Sequence, residues 1–197
     1  MENQIIKKSY KFYNNTIEEY HLNGQLHRED GPAYTEYNKS GNIKCEQYYN
    51  FDKYHREDGP AIIEYYKNGQ VMLESYIVNG KYADGNKPSR IEYDNFGNIE
   101  CVYYCPKDVF HRIDGPAKIY YITRNGITRI LNAFYYINGV DVSNEINGYK
   151  NKLTKQMIHK EIYIDSLYAM RIACIENDNK ELLDLVESKI ITYELSN

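Results

Sequence analysis

HREDGPA stands at residues 27–33 (His27 to Ala33) and again, unchanged, at 55–61 (His55 to Ala61). HRIDGPA stands at 111–117 (His111 to Ala117). The first two copies start 55 − 27 = 28 residues apart, and the next starts 111 − 55 = 56 further on, twice that spacing. The copy missing from the series belongs at 83, where ADGNKPS (Ala83 to Ser89) keeps Pro88 in register with Pro32, Pro60 and Pro116. Self-similarity at such a period marks an array of small supersecondary units, here about four of 28 residues. A half-unit precedes them and ends in YHLNG (20–24), matched by YIVNG (76–80) and YYING (135–139).

After each proline the chain reads AYTEY, AIIEY, SRIEY and AKIYY. The first, third and fifth columns are small, mostly Ile, and always Tyr, whereas the second and fourth vary. That period of two predicts a strand with one buried face. Ser40-Gly41, Asn68-Gly69, Phe96-Gly97 and Asn125-Gly126 follow as turn signals. Asn-Gly between alternating runs favours a type I′ hairpin, in which both central residues take positive φ. Second strands are expected at Asn42–Tyr49, Gln70–Ile77 and Asn98–Cys105. Alternation places Ile43, Cys45 and Tyr49 and their equivalents inward. Tyr37, Tyr65, Tyr93 and Tyr121 then make an inward ladder, and Tyr48, Tyr76 and Tyr104 an outward one on the opposite face. The outward ladder is either cross-strand packing or a contact surface. Each unit is one hairpin, and neighbours must pair, because a lone hairpin cannot bury its face.

A tandem hairpin repeat with Tyr-x-x-Asn-Gly and a Gly-containing connector resembles the MORN repeat and its variants. The HREDGPA form is similar to MORN-like repeat proteins of giant DNA viruses of amoebae and of some bacteria and phages. The likeness covers roughly Tyr10–Val142. The unit is longer than the usual MORN unit, and HRxDGPA replaces the usual Gly-rich connector. The resemblance implies an elongated antiparallel β-hairpin sheet and a virus- or phage-encoded interaction protein. It names no substrate.

The connector residues invite a reading as metal ligands or catalytic bases. Two strands per unit at about 4.8 Å put equivalent residues roughly 10 Å apart. Ligands of one zinc ion must lie within about 4 Å of one another, so His27, His55 and His111 cannot share one. A structural role for His27, Arg28, Asp30, His55, Arg56, Asp58, His111, Arg112 and Asp114 is expected instead. Asp can hydrogen-bond the turn, Gly supplies a backbone geometry other residues avoid, Pro opens the strand, and Arg can pair with Asp along one edge. The broken third copy, with Asp84, Asn86 and Lys87, is either drift or a specialised contact loop. Cys45 and Cys101 are roughly 19 Å apart in this scheme, beyond disulfide reach, so free buried thiols are expected.

Lys plus Arg number 24 and Asp plus Glu 28 in 197 residues, a net charge of −4, which disfavours nucleic acid as partner. The same charge, without a polybasic run, disfavours an anionic membrane surface, which the MORN likeness would otherwise suggest. Tyr supplies 23 aromatics, Phe 5 and Trp none, so the core is expected to be thin and wet-edged. No long apolar run or signal-peptide pattern is present, and a cytoplasmic protein (host cytoplasm or virion, if viral) is expected.

The hairpin array is expected over 1–142, a polar linker over 143–152 and a helical segment over 153–197. Leu153, Met157, Leu167, Met170, Ile172 and Ala173 have helical spacing, and Asn177 to Asn179 precede the apolar stripe of KELLDLVE. That tail either caps the last open strand edge or docks a partner. His159, Glu161 and Asp84 are the only pieces an enzyme could use, and none has an arranged partner. The expectation is a non-enzymatic interaction or scaffold protein without cofactor or metal, binding a protein partner or a second copy of itself. A lipid binder and an inhibitor or antitoxin are the alternatives. The candidate contact residues are Tyr48, Tyr76, Tyr104, Asp84, Asn86 and Lys87.

Overall fold

Strands that alternate small or branched residues with polar ones pair readily with their neighbours in sequence, and that is what this chain does. The computed structural model describes residues 4–83, 87–106, 109–112, 115–144, 184 and 186–191. Its long hairpins are β1 (Ile5–Phe12) with β2 (Asn15–Leu22), β4 (Tyr34–Tyr37) with β5 (Ile43–Gln47), β8 (Ile62–Tyr65) with β9 (Val71–Ser75), β12 (Arg90–Tyr93) with β13 (Ile99–Tyr103), and β14 (Lys118–Arg124) with β15 (Ile127–Phe134). They join, antiparallel, in the order β1-β2-β4-β5-β8-β9-β12-β13-β14-β15. The short strand β3 (Gln25–Leu26) folds back on β2. The fold is thus mainly β, as expected, with a short helix at 186–191 whose Val186 and Ile190 are buried.

Among the described residues, three of the long hairpins are followed by a second, two-residue hairpin: β6 (Tyr49–Asn50) with β7 (Lys53–Tyr54), β10 (Ile77–Val78) with β11 (Lys81–Tyr82), and β16 (Tyr136–Ile137) with β17 (Val140–Asp141). The expected second strands therefore stop early, at Gln47, Ser75 and Tyr103. The type I′ turns belong mostly to these short hairpins. Both central residues have positive φ at Asn23-Gly24, Phe51-Asp52, Asn79-Gly80 and Asn138-Gly139. At 68–69 only Gly69 does (φ 88°), and its amide donates to the Tyr66 carbonyl at 3.0 Å. That corrects the type I′ expectation there: the loop is a three-residue connection closed by a left-handed glycine, the next commonest hairpin design. Among the four glycine turns expected to close long hairpins, only Asn125-Gly126 is left-handed at both positions, with φ 52° and 73°.

Every long hairpin after the first also contains a bulge. The register slips between Glu36 and Tyr37, Glu64 and Tyr65, Glu92 and Tyr93, and Tyr120 and Tyr121. Lys44, Met72, Glu100 and Leu131 are the extra residues, and each resets the alternation of its strand. Ile43 consequently shares a face with Glu46, not with Cys45. The same reset puts Tyr48, Tyr76 and Tyr104 on the face that carries Tyr37, Tyr65, Tyr93 and Tyr121, which corrects their expected placement on the opposite one.

Neither face is oily. One buries Ala33, Ala61, Ser89 and Ala117 beside Thr35, Val102 and Ile119; the other buries Ile17, Cys45, Leu73 and Cys101. Cys45 and Cys101 are buried free thiols. Burial pushes the Cys45 thiol up to about 11, so it stays protonated at neutral pH. Ser143, at the start of the expected linker, is buried, and its hydroxyl accepts the Tyr135 amide at 2.9 Å, which ties it to the last hairpin. The rest of the expected linker lies outside the described residues, apart from Asn144, as does most of the helical tail.

Candidate interaction surface

The connector turns out to be a clamp between units. Arg28 donates from Nε to Asp30 at 2.7 Å, and its guanidinium lies 4.1 Å over the Tyr20 ring. Arg56 repeats this with Asp58 at 2.8 Å and Tyr48 at 4.1 Å. Arg112 lies 3.9 Å over Tyr104. Asp114, which would complete that third clamp, lies outside the described residues, as do Asp84 and Asn86. The glycine serves a purpose other than the one expected. None of Gly31, Gly59 and Gly115 has positive φ, but a Cβ on them would stand 3.0, 3.0 and 3.3 Å from the arginine Cζ. Arg is sandwiched between a tyrosine ring and a glycine, and only the missing side chain leaves it room. The Arg28 and Arg56 hydrogen bonds hold the Asp30 and Asp58 carboxyls below the usual carboxylate range.

The histidines bind the next unit. His55 Nδ1 accepts the Asn79 amide at 3.2 Å, and His111 Nδ1 accepts the Asn138 amide at 3.1 Å. Backbone bonds run alongside: Gly80 to the Tyr54 carbonyl, Gly139 to Phe110, Arg56 to Ile77. At the first junction Phe51 occupies the place of that asparagine. Its ring stacks on His27 at 4.3 Å, and His27 Nδ1 is left buried without a hydrogen-bond partner. Asp52 compensates by accepting the Leu26 amide at 2.7 Å.

Across the sheet a second ladder links units. Tyr37 donates to Glu18 at 3.4 Å, Tyr65 to Glu46 at 2.6 Å and Tyr93 to Glu74 at 2.8 Å. Val102 takes the place of the glutamate in the last unit. These repeated polar groups hold neighbouring units together. The tyrosines singled out as contacts are largely covered: Tyr48 and Tyr76 are half-buried and Tyr104 is buried. Tyr48 and Tyr104 lie under the connector arginines, and Tyr76, in the unit with the broken connector, donates to Glu74 at 2.8 Å. Lys87 is exposed.

Between the first two connectors runs a cleft of about 630 Å³, lined by Arg28, Asp30, Tyr48, Tyr49, His55 and Arg56. Its arginines are already paired with Asp30 and Asp58. Large apolar side chains lie open to solvent elsewhere. On β15, an edge strand among the described residues, Ile127, Ile130 and Leu131 are 56, 60 and 63% exposed. At hairpin turns Tyr13 and Phe96 are 89 and 80% exposed. Sequence reasoning missed β15, because the chain does not say which strand ends the sheet. Its one visible signal was the lengthened run near Thr123–Ala133.

Among the described residues no group of three or more His, Cys, Asp or Glu side chains is gathered as for a metal, and no helix is long and apolar enough to cross a membrane. No family model, curated protein or solved structure matches this chain.

Proposed function

We propose that this protein is a non-enzymatic scaffold of the MORN-like hairpin-repeat kind that binds protein through its terminal edge strand, β15. The observation carrying the reading is three large apolar side chains exposed on an eight-residue strand that, among the described residues, is paired on one side only and carries a single charge, whereas the other outer strand, β1, sets its exposed Ile5, Ile6, Tyr10 and Phe12 among three lysines. Such an edge offers unpaired backbone groups and apolar contacts together, the combination that strand addition uses. The geometry of the connectors supports the same reading, because Arg28, Arg56 and Arg112 cover tyrosine rings, Asp30 and Asp58 pair with two of those arginines, and His55 and His111 bind the next unit. The test is capture of bound protein from native lysate by the full chain and by a folded Ile130→Lys variant. A stoichiometric partner lost with the lysine is expected. A partner retained equally by the variant contradicts the assignment to β15.

A second reading rests on Tyr13 and Phe96, exposed aromatics on turns at the same end of the sheet, with Lys39 and Lys67 nearby on other turns of that end. Aromatics and lysines together suit a lipid interface. Sedimentation with anionic vesicles, weakened by Tyr13→Ser with Phe96→Ser, would favour it.

A further inference from the structure

The identity of the occupant of β15 rests on the reading of that strand as the binding edge. The sheet has two outer strands among the described residues, β1 and β15, each of eight residues. They differ in chemistry. Both expose large apolar side chains, Ile5, Ile6, Tyr10 and Phe12 on β1 and Ile127, Ile130 and Leu131 on β15, so the difference is charge: β1 reads IIKKSYKF and carries Lys7, Lys8 and Lys11, all exposed, whereas β15 reads ITRILNAF and carries one charge, Arg129. Lysine on an outer strand discourages pairing, because docking a second strand would bury or confront the charge.

Three edge pairings between copies are geometrically open. Ten strands alternate in direction along the sheet, so β15 of one copy meets β1 of another antiparallel, as a continuing ladder would. That arrangement sets Arg129 against a lysine-bearing strand. Pairing β1 with β1 sets lysines against lysines. Pairing β15 with β15 about a two-fold axis has a register free of like-charge conflict. In it Ile127 stands opposite Phe134, Thr128 opposite Ala133, Arg129 opposite Asn132, and Ile130 opposite Leu131. Apolar meets apolar, small meets small, and the one cation meets an amide. The faces also agree. The bulge at Leu131 switches side-chain parity halfway along β15, so Arg129 and Asn132 point to one face and Thr128 and Ala133 to the other.

From this we infer that the occupant of the β15 edge is a second copy of this chain, giving a closed two-fold dimer whose sheet runs continuously through both copies. The two-fold contact is isologous, so it stops at two, whereas β15-to-β1 pairing would run on into open assemblies. The β1 lysines keep the outer ends of the dimer unpaired.

The experiment is light scattering and sedimentation of the full chain over a concentration series. Wild type is expected to pass from monomer to dimer and no further. Asn132→Asp places a carboxylate opposite Arg129 twice in the dimer and should lower the dissociation constant roughly two- to thirty-fold, at cross-strand pair strengths. Asn132→Lys should raise it by a similar factor, and Ile130→Lys should leave monomer. Circular dichroism confirms that each variant is folded. Assemblies larger than two, or a dimer indifferent to both charges at 132, overturn the inference. A wild type that stays monomeric also overturns it. In that case, loss of a captured lysate protein in Ile130→Lys would keep the edge assignment, and no loss would end both.

Discussion

Replacing Gly59 by alanine should destabilise the protein, and should stop doing so once Arg56 is gone. The added methyl would stand 3.0 Å from both Cζ and Nε of Arg56, closer than nearly all real Cβ contacts. Gly59 has no positive φ, so the backbone itself tolerates alanine. The guanidinium must therefore give way, lifting off the Tyr48 ring it covers at 4.1 Å. A cation over an aromatic ring contributes about 0.5–2 kcal/mol, depending on how dry it is. The Asp58 carboxylate stands in water and adds little to this. Against the loss, alanine restricts the unfolded chain and returns about 0.4–1 kcal/mol. The expected net cost is up to about 1.5 kcal/mol, a fall in Tm of a few degrees for a chain of this size. In an Arg56→Ala background the three atoms nearest the methyl are gone, and Gly59→Ala should become neutral or stabilising. Urea unfolding of the four proteins in this cycle, followed by circular dichroism, measures the coupling directly. Equal effects of Gly59→Ala with and without Arg56 would refute the sandwich as the reason for the glycine.

Tyr65→Phe should cost about 1 kcal/mol in the same assay, because Glu46 loses its 2.6 Å donor, whereas Tyr121→Phe should cost far less where Val102 replaces the glutamate. Alkali should unfold the protein in step with tyrosine ionisation. Burial pushes Tyr34 and Tyr76 up to about 12, helped at Tyr76 by its hydrogen bond to Glu74, and burial also raises Tyr65 and Tyr93. A raised folded value means that the unfolded chain gives up its protons first. The stability is therefore complete below the ordinary tyrosine value of 10.0 and falls as pH climbs towards 12. Tyrosinate absorbance and circular dichroism should change together; tyrosines that ionise at 10 in a folded protein would contradict their burial. In acid the sign reverses: the lowered carboxyls of Asp30, Asp58 and Asp94 add stability above 3.8 that is lost as pH falls through their lower folded values, which an acid unfolding titration of Asp58→Asn should show as a weakened transition.

Much of the sheet could be read from the repeat itself. The columns after each proline alternate, and their first members, Ala33, Ala61, Ser89 and Ala117, are fully buried. The bulges were the blind spot. Lys44, Met72 and Glu100 share no residue type, so nothing in their column announces an extra residue, and strict alternation carried past them turns Tyr48, Tyr76 and Tyr104 to the wrong face. The short hairpins were half-visible: Asn-Gly marks two of their three turns, and the β2–β3 turn besides, but Phe51-Asp52 adopts the same left-handed pair without glycine. The connector glycine was explicable only in three dimensions, since the arginine it accommodates stands three residues earlier and folds back over it. The edge strand was illegible for a different reason. Exposure of Ile127, Ile130 and Leu131 goes with β15 having one neighbour among the described residues, a property of the assembled sheet and not of its residues.

Amide hydrogen exchange of the full chain at low and high protein concentration puts the central claim to its most direct test, because it reports which backbone groups become paired. If β15 is the association edge, amides within Ile127–Phe134 slow as concentration rises, while those of Ile5–Phe12 and of the connectors exchange unchanged. Slowing confined to β1 or to the connectors, with β15 exchanging freely throughout, would contradict it.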